Sequence, residues 1–114
     1  MSVKLIDGYH QKKVPYFPTV DVTGGDVILI GTTLTIASVD LAANDPNGIG
    51  VNWPNGGGRY SGLNTDGLVF AAGADVFYDI ANKKVLTAGG DGKIGVCTTD
   101  AAATDERVEF IHER

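Results

Sequence analysis

Apolar residues in this chain come in short bursts, and clusters of glycine, asparagine and proline separate them. Val27, Ile28, Leu29 and Ile30 form one unbroken apolar run, the pattern of a strand buried on both faces. Residues 34–39 begin by alternating and are rich in β-branched side chains, which predicts a half-buried strand. The same signals predict strands at 49–53, 67–70, 75–80, 85–87, 93–98 and 107–112. In the last of these, Val108 and Phe110 fall on one face, with Arg107, Glu109 and Ile111 on the other. Turn residues stand between the strands, as in Thr23-Gly24-Gly25-Asp26, Asn44-Asp45-Pro46-Asn47-Gly48 and Gly89-Gly90-Asp91-Gly92. No segment has the period of a long amphipathic helix, and only residues 41–43 and 101–103 could form helical turns. The chain therefore reads as mainly β: a small single-domain sandwich or barrel of about eight short strands, with at most one or two short helical turns.

One phrase occurs twice. Gly25-Asp26-Val27 leads into the first apolar run, residues 34–39 follow, and Asp40-Leu41-Ala42-Ala43-Asn44-Asp45 closes the copy. Ala74-Asp75-Val76 leads into the second, residues 94–99 follow, and Asp100-Ala101-Ala102-Ala103-Thr104-Asp105 closes it. Neither copy contains a plausible catalyst. The repeat is scaffold, which places function on surfaces.

Two segments stand apart from the strand pattern. Residues 1–19 mix Tyr9, Tyr16 and Phe17 with Lys4, Lys12, Lys13, Pro15 and Pro18. The two prolines fix φ and remove amide donors, so this stretch is extended or lies at an edge. It reads as an N-terminal arm on a body spanning 20–114. Residues 52–65 carry the run Gly56-Gly57-Gly58 between Trp53 and Tyr60, and three glycines in a row cost much to order.

Length, charge and cysteine narrow the classes. A chain of 114 residues suits one domain. The net charge of −5 argues against a role in coating nucleic acid, which needs a basic face. The charge is uneven: residues 1–20 hold three lysines and one aspartate, net +2, which leaves −7 for the rest. A basic arm on an acidic body suits docking onto an acidic partner. No apolar run approaches the ~20 residues of a membrane helix, and the start lacks the apolar core of a signal peptide. The chain is thus expected to be made in the cytoplasm. Cys97 is alone, so it forms no intrachain disulfide, and its apolar neighbours suit a core residue.

Candidate chemistry is sparse. His10 and His112 are the only histidines, and neither sits in a catalytic motif. No cysteine pair or His-x₃-His spacing offers a metal site, and no cofactor is implied. Asn64-Thr65-Asp66-Gly67 resembles part of a calcium loop without its closing Glu, so a plain Asx turn is expected. Gly92-Lys93 fails the phosphate-loop pattern, with Thr87 where a glycine is needed and Ile94 after the lysine. An enzyme is therefore not expected. The residues left for partner contact are Lys4, Tyr9, Lys12, Lys13, Tyr16, Phe17, Trp53, Arg59 and Tyr60. Trp53 is the natural anchor among them. Packing of Trp53 and Tyr60 back onto the core is the other reading of the same pair.

The order Gly-Asp-Val, apolar run, apolar strand, Asp-x-Ala-Ala resembles the small phage capsid cement or decoration proteins. Gly73-Ala74-Asp75-Val76-Phe77-Tyr78-Asp79, the stretch Ile94 to Ala103 and the closing Arg107-Val108-Glu109-Phe110 fit the same family. The resemblance runs from about Tyr16 to His112, and the glycine-rich loop at 52–65 departs from it. It implies a non-enzymatic virion protein that binds the major capsid protein on the outer face of an expanded shell, commonly as a homotrimer at local threefold positions. On that view the arm hooks a capsid subunit by adding to a sheet edge. The alternative is a carbohydrate- or receptor-binding module of a head or tail fibre, with Trp53 and Tyr60 stacking on sugars.

Overall fold

The computed structural model describes residues 3–7 and 12–114. Among these it has ten strands: β1 (Val3–Asp7), β2 (Lys13–Tyr16), β3 (Val27–Ile30), β4 (Thr33–Ala37), β5 (Ile49–Asn52), β6 (Arg59–Leu63), β7 (Asp75–Asp79), β8 (Lys84–Leu86), β9 (Lys93–Cys97) and β10 (Arg107–His112). They form a large sheet in the order β1-β6-β10-β9-β7-β8 and a small one in the order β2-β5-β4-β3, every pairing antiparallel. The two sheets stack as a sandwich and do not close into a barrel. Val27, Leu34 and Ile36 from the small sheet meet Tyr60, Val76, Tyr78, Ile94, Val108 and Phe110 from the large one in the main core.

Position within a sheet decided burial more than local pattern did. The unbroken run of β3 was expected to be buried on both faces, yet β3 ends the small sheet and Leu29 is 43% exposed. Neighbouring β4, expected to be half-buried, lies between β3 and β5 and is buried at all five residues. An end strand has a neighbour on one side only, so its side chains overhang solvent whatever their polarity.

Three segments differ from expectation in the strands they hold. Residues 67–70 form no strand, and only Phe70 makes a bridge, to Ala101. The glycine-rich segment holds β6, which lies between β1 and β10 in the large sheet. The first nineteen residues, expected as an arm, give one end strand to each sheet: β1 pairs with β6, and β2 pairs with β5. Val3 is wholly buried in the main core, and its amide donates to the Gly25 carbonyl at 3.0 Å. Pro15 does lie in an end strand, as its missing amide requires. The two alanine corners are turns rather than helices.

The repeated phrase is a repeated fold. Strands β2-β5-β4-β3 and strands β6-β10-β9-β7 have the same order and direction. Val14↔Val51, Ala37↔Val51 and Ile28↔Thr35 in the first unit match Tyr60↔Phe110, Cys97↔Phe110 and Val76↔Gly95 in the second. The corners match as well. Val22 and Leu41 exchange two backbone hydrogen bonds, as Phe70 and Ala101 do. The Gly24 amide donates to Asp40 Oδ1 at 2.7 Å, and the Ala72 amide donates to Asp100 Oδ1 at 2.8 Å. This register corrects the reading of the phrase by one residue at its start, because Ile28, not Val27, is the counterpart of Val76. Such a slip exchanges the two faces of a strand.

Candidate partner-contact surface

The sequence-derived contact residues divide among three places. The first is the rim around β2 and β5. The Lys12 carbonyl accepts the Trp53 amide at 2.7 Å, which extends the β2–β5 ladder by one pair. Lys12 and Lys13 are exposed, while Tyr16 and Trp53 are half-buried. Phe17 is 62% exposed and its ring lies over Gly48, where a Cβ would come within 2.7 Å of it. Gly48 also has φ of +66°, so glycine is needed there on two counts. This rim is basic and aromatic on an otherwise acidic chain.

The second place is the outer face of the large sheet. Lys4 is exposed there, opposite Ser61. Arg59 pairs with Glu109 at 2.9 Å, and Thr98 Oγ1 donates to the same carboxylate oxygen at 2.8 Å. Arg107 donates to Ser61 Oγ and to the Ser61 carbonyl, each at 2.8 Å. Arg59 is therefore held in a polar ladder of the sheet itself.

The third place is the core. Tyr60 is 2% exposed, stacked on Phe110 with centroids 6.1 Å apart and edge-on to His112 at 5.9 Å. Its hydroxyl accepts a hydrogen bond from Asn52 Nδ2 at 2.7 Å. Of the two readings of the aromatic pair, packing holds for Tyr60. Tyr9 and His10 lie outside the described residues.

The glycine run is pinned from two sides. A Cβ at Gly56 would lie 2.8 Å from the Lys12 amide nitrogen, so the loop and the start of β2 touch through their backbones. The Asn55 amide donates to the His112 carbonyl, and the His112 amide donates to the Gly58 carbonyl, both at 2.9 Å. At Gly56 the ordering cost of glycine is thus offset by a contact that a side chain would block.

His112 is a core residue that its position near the end of the sequence concealed. It is 2% exposed, and its Nε2 lies 2.9 Å from the Leu34 carbonyl of the opposite sheet. Burial pushes its pKa below the usual 6.5, outweighing the opposite pull of that hydrogen bond. The ring is neutral at pH 7 and donates from Nε2, a polar tie across the sandwich. Cys97 is buried as expected, its thiol pKa raised chiefly by burial, and Sγ donates to the Thr99 carbonyl. Asn64 makes the expected turn, closing on the Leu68 amide at 2.9 Å and the Leu68 carbonyl at 2.8 Å.

A cleft of about 210 Å³ opens where the sheets part between β1 and β2, with Leu5, Lys13, Asn52 and Tyr60 in its walls. Among the described residues, Lys13 is its one charged side chain. Among the described residues, no group of three or more His, Cys, Asp or Glu side chains could hold a metal ion, and no helix is long and apolar enough to cross a membrane.

No curated protein and no solved structure matches the chain. The family described as phage cement protein matches residues 9–112, nearly its whole length. The chain belongs to that family.

Proposed function

We propose, from membership of the phage cement family, that this protein binds the outer surface of an expanded phage capsid and stabilises it, as a homotrimer that grips the major capsid protein. The observation that carries this reading is the family match over residues 9–112. The surface supports it: a basic, aromatic rim of Lys12, Lys13, Tyr16, Phe17 and Trp53 on a chain of net charge −5 suits a docking edge. The role is structural and the location is the virion, after synthesis in the host cytoplasm.

The mechanism is mass action. A ligand that binds only the expanded lattice shifts the shell toward that state. Many copies, each bound modestly, add over one particle and are linked through it. No covalent chemistry is required.

Mixing the purified protein with expanded and unexpanded heads of the encoding phage tests the reading. Cosedimentation with expanded heads alone, and a higher temperature of head disruption, is the expected result. Equal binding to both forms, or to neither, defeats it.

A further inference from the structure

The cleft between β1 and β2 is walled by two rows of side chains that cross-strand pairing fixes. Lys13 pairs with Asn52 and Asn52 with Ile36, so all three stand on the face of the small sheet that meets the large one. Leu5 pairs with Tyr60 and Tyr60 with Phe110, which sets Leu5 and Tyr60 on the facing side of the large sheet. Ile36 and Phe110 belong to the main core. Outward along the first row the core gives way to polar side chains, and outward along the second it ends in Leu5, which is 50% exposed.

Asn52 is 4% exposed, and its Nδ2 donates to the Tyr60 hydroxyl at 2.7 Å. Its Oδ1 is buried with no hydrogen-bond partner among the described residues. A buried acceptor left unmet opposes folding, so an atom of this kind in the wall of a cleft calls for a donor that enters the cleft. Lys13 is exposed and has no ion pair among the described residues. Other polar groups of the lining are already engaged: Ser38 Oγ donates to the Gly50 carbonyl, and the Gly24 and Gly25 amides donate to Asp40 Oδ1 and the Ala37 carbonyl. Val3, Ile36 and Ala37 supply apolar wall.

We propose that this cleft binds the carboxamide of an asparagine or glutamine side chain carried by a partner protein. The ligand has to donate to Asn52 Oδ1 and offer an oxygen to the Lys13 ammonium, and a primary amide does both from one small head on an apolar stem. A carboxylate suits Lys13 but brings no proton to Oδ1. An ammonium suits Oδ1 but is repelled by Lys13. An alcohol donates and accepts through a single atom, where the amide spreads the two roles over two atoms. Lys13 also belongs to the basic, aromatic rim, so a chain docked on that rim brings its side chains to the cleft. The identity of the partner rests on the docking reading above; the chemistry of the site does not.

NMR titration of the purified protein with butyramide, a glutamine side chain in miniature, provides the test. Saturable shifts of the Asn52 side-chain amide and of the Ile36 and Ala37 backbone amides are expected, with a dissociation constant on the order of 10 mM for so small a ligand. Asn52→Leu and Lys13→Met should each weaken binding by at least ~10-fold. Lys13 is exposed, so its variant keeps the fold and decides the matter should Asn52→Leu not fold. Butyrate, butylammonium and butanol should bind at least ~10-fold more weakly than butyramide. Absence of a saturable shift with butyramide overturns the inference, as does equal binding of any of the other three probes, or binding that Lys13→Met leaves intact. Saturating butyramide should also weaken attachment to phage heads, and undiminished attachment overturns the protein-borne occupant. Butyramide binding that maps to this cleft, in a protein that binds no heads at all, leaves the site standing and removes the cement reading alone.

Discussion

The small sheet and the inner four strands of the large sheet are one fold made twice, and their surroundings differ. The large-sheet copy has an extra strand on each side, β1 beside β6 and β8 beside β7, and a sheet packed on its apolar face. The small-sheet copy ends in β2 on one side and β3 on the other, and its matching face holds the second cluster, buried at Val22, Ala37, Ile49 and Val51 but only partly so at Ile28, Ile30 and Leu41. Equal hydrogen bonding with unequal cover separates what the repeat builds from what the rest of the chain adds. The backbone pattern and the corner aspartates are common property. Burial comes from the neighbours.

The comparison is broken most directly by truncating matched apolar residues. Phe110→Ala should cost ~3–5 kcal/mol, because its ring is wholly buried under a packed sheet. Ile30→Ala, on the partly open face, should cost about 1 kcal/mol in dilute solution. Urea unfolding of both variants measures the gap, and equal costs would mean that the small-sheet face is as well covered as the other.

A second contrast lies at Gly95, the counterpart of Thr35. A Cβ at Gly95 would run into the Ile111 carbonyl, so Gly95→Ala should cost ~1–3 kcal/mol through overpacking. Thr35 carries a side chain at the matching place, fully buried and hydrogen-bonded to the Ile28 carbonyl. Thermal unfolding that leaves Gly95→Ala unchanged would show that β9 and β10 lie farther apart than described.

The corners should behave alike. Asp40→Ala and Asp100→Ala each remove the acceptor of one backbone amide and should each cost about 1 kcal/mol. A difference of more than about 0.5 kcal/mol between them in chemical denaturation would show that the corners are not energetic equivalents.

The gentlest perturbation leaves the sequence intact. His112 has its pKa lowered in the folded state, so near neutral pH both folded and unfolded forms hold it uncharged. As pH falls below 6.5, the unfolded chain takes up the proton first, and stability declines until the buried ring itself protonates. Stability should therefore be lower at pH 5 than at pH 7.5, and His112→Gln should flatten that part of the profile. An unchanged slope in the variant would assign the acid sensitivity to other groups.

Much of this was readable from residues. The strands at β3, β4, β5, β7, β8, β9 and β10 follow from apolar runs and turn residues, and the doubled Asp-x-Ala-Ala corner announced the repeat. The misses share a physical origin. β6 was hidden because its inward positions are Tyr60 and Gly62, and the volume over Gly62 is filled from another strand: a Cβ there would lie 2.6 Å from Val85 Cγ1. No window of local sequence can show a side chain lent by a distant strand. β1 has one buried anchor among its described side chains, Val3, too little for a period. Of the candidate contact residues, Lys12, Lys13, Tyr16, Phe17 and Trp53 lie along β2 and the end of β5. Tyr60 and Arg59 were drawn elsewhere by partners far along the chain, Asn52 and Phe110 for the first and Glu109 for the second.

The place of β10 has a consequence for how the molecule is made. Residues 107–112 run through the interior of the large sheet, with β6 on one side and β9 on the other. Until residue 112 has emerged from the ribosome, β1 and β6 have no link to the rest of that sheet, and the main core lacks Phe110 and Val108. Completion of the large sheet therefore waits on these six residues. A chain without residues 107–112 would leave one side of β6 and one side of β9 unpaired, two open strand edges in place of a continuous sheet.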